Sequence, residues 1–117
     1  MKTIIAGSRS IDDFAVIDQA IKASSFEITE VVSGTAKGVD ITGEAWASLN
    51  NIPIKRFPAK WDKEGRAAGM LRNARMAEHA EACIVIWDGS SVGSKNMINQ
   101  ATKRGLKLYV HKVENDR

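Results

Sequence analysis

Apolar residues fall along the chain in two alternating patterns. Short, nearly continuous apolar runs recur at Lys2–Ala6, Ile28–Ser33, Ile52–Phe57, Ala82–Trp87 and Leu106–His111. Between them, Ile11–Ala23, Val39–Leu49, Met70–Ala80 and Val92–Arg104 carry apolar residues at three- and four-residue spacing. The first pattern predicts buried strands and the second amphipathic helices. In the first helix Phe14, Val16, Ile17, Ala20 and Ile21 form the apolar stripe, with Ser10 placed to cap it and Asp12 and Asp13 in its first turn. Asn50 and Asn51 end the second helix, and Gly105 caps the last. Pro53 puts the third strand's start, or the whole strand, at a sheet edge. The run Cys83–Trp87 has no polar alternation, as in an interior strand covered on both faces. Pro58–Gly69, with Trp61 and two glycines, reads as a loop, and Glu114–Arg117 as a polar tail.

Strand and helix alternate throughout, which predicts an α/β fold. We expect a Rossmann-like three-layer sandwich with a mostly parallel five-stranded sheet and right-handed crossovers. The 117 residues suit one domain, 1–117, with no linker or internal repeat. No stretch approaches the roughly 20 apolar residues of a membrane span, and the apolar run of Met1–Gly7 is too short for a signal-peptide core. A cytoplasmic protein is expected. The single cysteine, Cys83, excludes an intramolecular disulfide and a thiolate zinc site within the chain, and its apolar neighbours predict a buried core thiol. His79 and His111 lie far apart, outside any nucleophile motif. Neither a metal site nor a cofactor is expected.

Charge sharpens the picture at one place. The net charge is +3, yet Lys55–Arg75 holds seven basic and two acidic residues, +5, leaving −2 elsewhere. Such a patch suits an anionic partner, a phosphate or a nucleic-acid backbone, or else forms a solvated face of mixed charge.

In sheets of this kind ligands bind beyond the carboxyl ends of the strands, near the point where strand order reverses. The loops there are Gly7-Ser8-Arg9-Ser10, Ser33-Gly34-Thr35-Ala36-Lys37-Gly38-Val39-Asp40, the basic segment to Arg72, and Asp88-Gly89-Ser90-Ser91-Val92-Gly93-Ser94-Lys95-Asn96. Three of these four join glycine to small hydroxyls and a cation. Glycine lets backbone approach a phosphate, free amides at the next helix start favour an anion, and Arg9, Lys37 or Lys95 can add charge-assisted bonds. Neither G-x-x-x-x-G-K-[ST] nor G-x-G-x-x-G is present, so the glycines equally suit tight strand-to-helix turns. Asp40 and Glu44, four apart on one helix face, are candidates for ribose hydroxyls or a general base, or a cap and a solvated residue. Trp46 reads as core. Trp61 reads as a stacking platform or a lid, and Trp87 as pocket wall or core. Arg72, beside Asn73, is placed to reach a ligand, whereas Arg75 suits solvent. Met70, Met76 and Met97 fit helix packing faces.

Together these loops resemble the SLOG superfamily, and most closely its YspA-type, cpYpsA-related branch. The residues that carry the resemblance are Gly7-Ser8-Arg9, Ser33 through Asp40, Arg72-Asn73 with Met76, and Trp87-Asp88-Gly89 followed by Gly93-Ser94-Lys95-Asn96. The resemblance implies a Rossmann-like domain that binds a nucleotide or a nucleotide-derived ligand. Two relatives set the alternatives. In LOG-type phosphoribohydrolases a Gly-Thr-x-x-Glu stretch carries the catalytic glutamate. Here it reads Gly93-Ser94-Lys95-Asn96-Met97, with Met97 at the glutamate's place, so Glu44 or Asp40 would supply the acid and Arg72 the cation. The DNA-processing protein A family shares a Ser-Gly-x-Ala-x-Gly-Ile-Asp loop, matched by Ser33–Asp40 with Val39 for isoleucine, which implies single-stranded DNA as a third partner class. The aromatic content of 6% offers few stacking platforms for it. The resemblance also implies a homodimer or larger assembly.

Overall fold

A computed structural model describes residues 1–114; the tail residues Asn115, Asp116 and Arg117 lie outside the described residues. The elements run β1 (Lys2–Gly7), α1 (Phe14–Ser24), β2 (Glu30–Ser33), α2 (Val39–Leu49), β3 (Ile54–Arg56), α3 (Trp61–Glu64), a 3-10 turn (Gly65–Ala67), α4 (Ala68–His79), β4 (Ala82–Trp87), α5 (Val92–Lys103) and β5 (Lys107–Lys112). The sheet order is β3-β2-β1-β4-β5, and all four strand pairings are parallel. Strand order therefore reverses between β1 and β4.

The strands are apolar on both faces because each face meets its own helix layer. Ile4, Val32, Cys83 and Val85 pack with Met76 of α4 and Met97 of α5. Ile5, Val31, Ile84 and Ile86 pack with Ile17 of α1 and Trp46 of α2. Trp46 also donates its indole N–H to Asp18 at 3.0 Å, so the one polar atom of this core side chain is satisfied. Pro53 precedes the edge strand β3, and its carbonyl accepts from Val31 N–H at 2.9 Å. Among the described residues no helix is long and apolar enough to cross a membrane, and no group of three or more His, Cys, Asp or Glu is placed to hold a metal.

Three features refine the pattern, beside shifts of one or two residues at other element ends. The first helix begins at Phe14 rather than Ile11, capped by Asp13 rather than Ser10, with the Asp13 carboxylate accepting from Ala15 N–H at 3.0 Å. The cause is local: the Ser8 carbonyl takes the Ile11 N–H, which turns the chain before the helix can start. The segment Pro58–Gly69 is not a plain loop. The Lys60 carbonyl accepts from Lys63 and Glu64 N–H at 3.1 and 2.8 Å, closing one helical turn that is too short to show a period. Gly65, at φ +55°, then breaks it into the 3-10 turn. The sheet is wholly rather than mostly parallel.

Helix α2 lies close on the sheet because Gly43 faces Ile5. A Cβ at Gly43 would stand 2.8 Å from Ile5 Cγ2. An Ala in a helix interior normally stabilises by about 1 kcal/mol over Gly. Here overpacking wins, and Gly43→Ala is expected to destabilise by about 1–3 kcal/mol. In urea denaturation, Ile5→Ala in the same chain should recover part of that loss, making the pair less than additive.

Candidate functional site

Ser8 is the pin of the carboxyl edge. It is 1% exposed. Its N–H donates to the Ile86 carbonyl at 3.0 Å, and its own carbonyl accepts from Ile11 and Val39 N–H, both at 3.3 Å. Its hydroxyl oxygen accepts from Asp88 N–H at 3.1 Å. One residue thus joins the ends of β1 and β4 to the start of α2. Gly38 brings the second loop onto the first. It sits at φ +85°, and a Cβ there would stand 2.5 Å from the carbonyl oxygens of both Ser8 and Arg9.

A second set of bonds crosses the cleft. Arg72 of α4 donates through Nη1 to the Gly34 carbonyl and through Nε to Asn73 Oδ1 at 3.0 Å. Asn73 Nδ2 then donates to the Gly93 carbonyl at 3.3 Å and to Asn96 Oδ1 at 3.0 Å. The bonds run from the loop after β2, through α4, to the first turns of α5. At the head of α5 the Ser91 hydroxyl accepts from Ser94 N–H at 3.2 Å and pairs with the Ser94 hydroxyl at 3.0 Å. Asp88 accepts from Ser90 and Ser91 N–H at 2.9 and 3.0 Å, which holds its carboxyl below the ordinary range. By position, the amides of Val92 and Gly93 have no partner within α5 and carry the positive end of its dipole.

Between these loops lies a cleft of about 560 Å³, within the range of small-molecule sites. Gly7, Ser8 and Arg9 line it from β1, Asp40 from α2, and Arg72 and Asn73 from α4. Asp88, Gly93 and Ser94 line it from the β4–α5 connection. The apolar floor comes from Met76 and Met97, each 1% exposed, so the packing role expected for both coexists with a place in the cleft.

Asp40 is the most perturbed group there. Burial raises its carboxyl to about 6, against the lowering pull of Arg72 and of the Ala36 N–H, which it accepts at 3.2 Å. Glu44 pushes in the same direction as burial, and Arg9 in the opposite one. Burial lowers Arg72 from its ordinary value, partly offset by Asp40, while Arg9 adds to the lowering. Cys83, fully buried beneath, is pushed up by burial and by the Asp40 charge.

Other sequence-derived residues fall elsewhere. Glu44 does not line the cleft: its carboxylate accepts from the Ser33 hydroxyl at 2.6 Å and from Arg56 Nε at 2.9 Å. Ser33, fully buried, spends its oxygen again on Thr35 N–H at 3.1 Å. That bond helps hold Thr35 at φ +66°, where a β-branched residue is strained. Gly34, Gly38 and Asn96 support the walls rather than facing the cleft, and Lys37 and Lys95 are exposed outside it. Trp87 packs on the core and donates to the Ser91 carbonyl at 3.2 Å, and Gly89 lies against Lys112. Of the two expected flanking tryptophans, Trp61 alone lines the cleft. Neither histidine does. The basic segment is partly consumed within the protein, since Arg56 pairs with Glu44 and Arg75 with Glu64. Met70, expected on a packing face, is instead 54% exposed at the cleft, and Ala36, Arg66, Gly69 and Ser91 line it without having been singled out. Ser91 was legible as a helix cap three residues before Ser94 and Ala36 lies in the loop after β2; Arg66 and Gly69 depend on the fold of Pro58–Gly69.

The sequence profile described as "YAcAr: YspA, cpYpsA-related SLOG family" matches residues 1–63, which hold the loops after β1 and β2. The chain is 30% identical over 115 residues to the "Gene 61 protein" of Mycobacterium phage D29, spanning 90% of this chain and 91% of that protein. No solved structure matches the chain.

The raised Asp40 carboxyl makes stability pH-dependent in a definite direction. The native state holds the proton between pH 3.8 and about 6, where the unfolded chain has released it. This contribution is complete below pH 3.8 and is lost as pH rises through about 6. Asp40→Asn removes it. In urea titrations the variant should gain on the parent between pH 4 and pH 7.5, by at most about 3 kcal/mol.

Proposed function

On the premise that the chain belongs to the YspA, cpYpsA-related SLOG family, we propose that it binds a nucleotide or nucleotide-derived ligand in the cleft at the carboxyl edge of the sheet. One observation carries the reading: the cleft opens between β1 and β4, where strand order reverses, and is flanked there by Arg9, Arg72 and the first amides of α5. The phosphate lies among Gly7, Ser8 and Arg9 on one side and Gly93 and Ser94 on the other, where a helix start and a cation both favour negative charge. Arg9 has no ion-pair or hydrogen-bonded side-chain partner among the described residues, so its guanidinium is free for a ligand. Asp40 faces the sugar hydroxyls as an acceptor. Self-association to a homodimer or larger assembly is part of the same reading.

Isothermal titration with AMP tests it. Arg9→Ala should weaken binding roughly tenfold or more, as expected for loss of a charge-assisted bond. Lys37→Ala, on an exposed residue outside the cleft, should bind as the parent does. Equal losses in both variants, or no binding by the parent, would remove the proposal.

A second reading rests on Asp40, a buried cleft carboxyl that titrates near neutrality. As a general base it takes a proton from water as the oxygen bonds to C1′ of a nucleotide. The C–N bond breaks in the same step, and the base leaves with that electron pair and takes up the proton that Asp40 removed from water. Chromatography of AMP, GMP and CMP incubations should show free base at a rate that rises with pH through about 6. Asp40→Asn should lower that rate about a hundredfold or more.

A further inference from the structure

The polar side chains of the cleft are nearly all committed to the protein itself. Both Asn73 Nδ2 protons are used, on Gly93 and Asn96, and its oxygen accepts from Arg72. The Ser8, Ser91 and Ser94 hydroxyls and one Asp88 oxygen are engaged in capping and joining loops. The groups left to face a ligand are the arginines, the Ser10 hydroxyl, the second oxygens of Asp40 and Asp88, the first amides of α5, and an apolar surface. That surface is large and unpartnered. Trp61 is 53% exposed, Met70 54% and Val92 80%, and all three stand at the cleft, above the buried thioethers of Met76 and Met97.

Trp61 is not a loose surface side chain. Its indole Cη2 would lie 3.5 Å from a Cβ at Gly69, so the ring tip rests over the start of α4. The short helix that carries it is tied down at its other end. Arg75 of α4 grips both carboxylate oxygens of Glu64, one of them at 3.1 Å. The two-pronged bond holds Glu64 below its ordinary carboxyl range. The half-exposed ring is thus held at the cleft.

Building on the proposed nucleotide reading, we infer that the base of the ligand is held by stacking on the exposed indole of Trp61, in the cleft whose apolar lining includes Met76 and Met97. Its edge is not read by hydrogen bonds. The ligand class is therefore nucleoside monophosphates irrespective of base. An aromatic face accepts any base because every base has a π-face, whereas strong discrimination needs buried polar groups that a wrong base leaves unpaired. Here the neutral polar side chains Asn73, Ser8, Ser91 and Ser94 are already paired.

Isothermal titration with AMP, GMP, CMP, UMP and ribose 5-phosphate, on the parent, Trp61→Phe and Trp61→Ala, tests this. In the parent the four nucleotides should bind within about fivefold of one another, and ribose 5-phosphate at least tenfold more weakly. Trp61→Ala should bring the nucleotides down towards ribose 5-phosphate and leave ribose 5-phosphate itself unchanged. Trp61→Phe should keep most of the difference. One base preferred by more than twentyfold, or a nucleotide advantage that survives in Trp61→Ala, overturns the inference while leaving the proposed function standing. No binding of any of the five overturns both.

Discussion

A buried polar atom without a partner costs free energy comparable to a lost hydrogen bond, and that constraint organises the whole carboxyl edge of this sheet. Ser8 sits where β1 ends beneath α2 and beside β4. Its amide, carbonyl and hydroxyl are each answered by a different element. Satisfying them fixes how the first and second loops meet, and this in turn requires the positive φ at Gly38. The cleft is what remains between loops held this way. Arg72 and Asn73 apply the same logic from the opposite helix layer, and every buried side-chain nitrogen and oxygen in the described residues has a partner.

Asp40 shows what such a frame permits. A carboxyl taken out of water is driven towards its neutral form unless charge and hydrogen bonds compensate. Arg72 and the Ala36 amide compensate only in part, so the group rests near neutrality. Glu44, one turn further along the same helix, gives its two oxygens to Arg56 and Ser33 instead. Two acids that look equivalent in sequence thus differ in chemistry because of their partners on β2 and β3.

Element order, the parallel sheet and the edge position of β3 were legible because burial on both faces leaves continuous apolar runs and because glycines mark the loops. The loops after β1, β2 and β4 were legible for the same reason. Which of their residues face the cleft was not. Gly34 and Gly38 resemble phosphate-approach glycines, yet they make room for Arg72 and for the Ser8 and Arg9 carbonyls. Trp87 and Trp61 are equally plausible base partners by composition, but the indole of Trp87 is turned to Ser91 and the core. Pro58–Gly69 read as loop because one helical turn and one 3-10 turn have no period. Its contribution of Arg66 and Gly69 to the cleft was hidden with it.

The two apolar cores never mix: the sheet separates the layer of α1 and α2 from that of α4 and α5. The cleft nevertheless takes Asp40 from the first layer and Arg72, Asn73 and Met76 from the second. Whatever occupies it touches both halves at once. Occupancy therefore acts as a rivet across the sheet, adding free energy to the folded state by mass action. It also makes local openings on either side report on the same event.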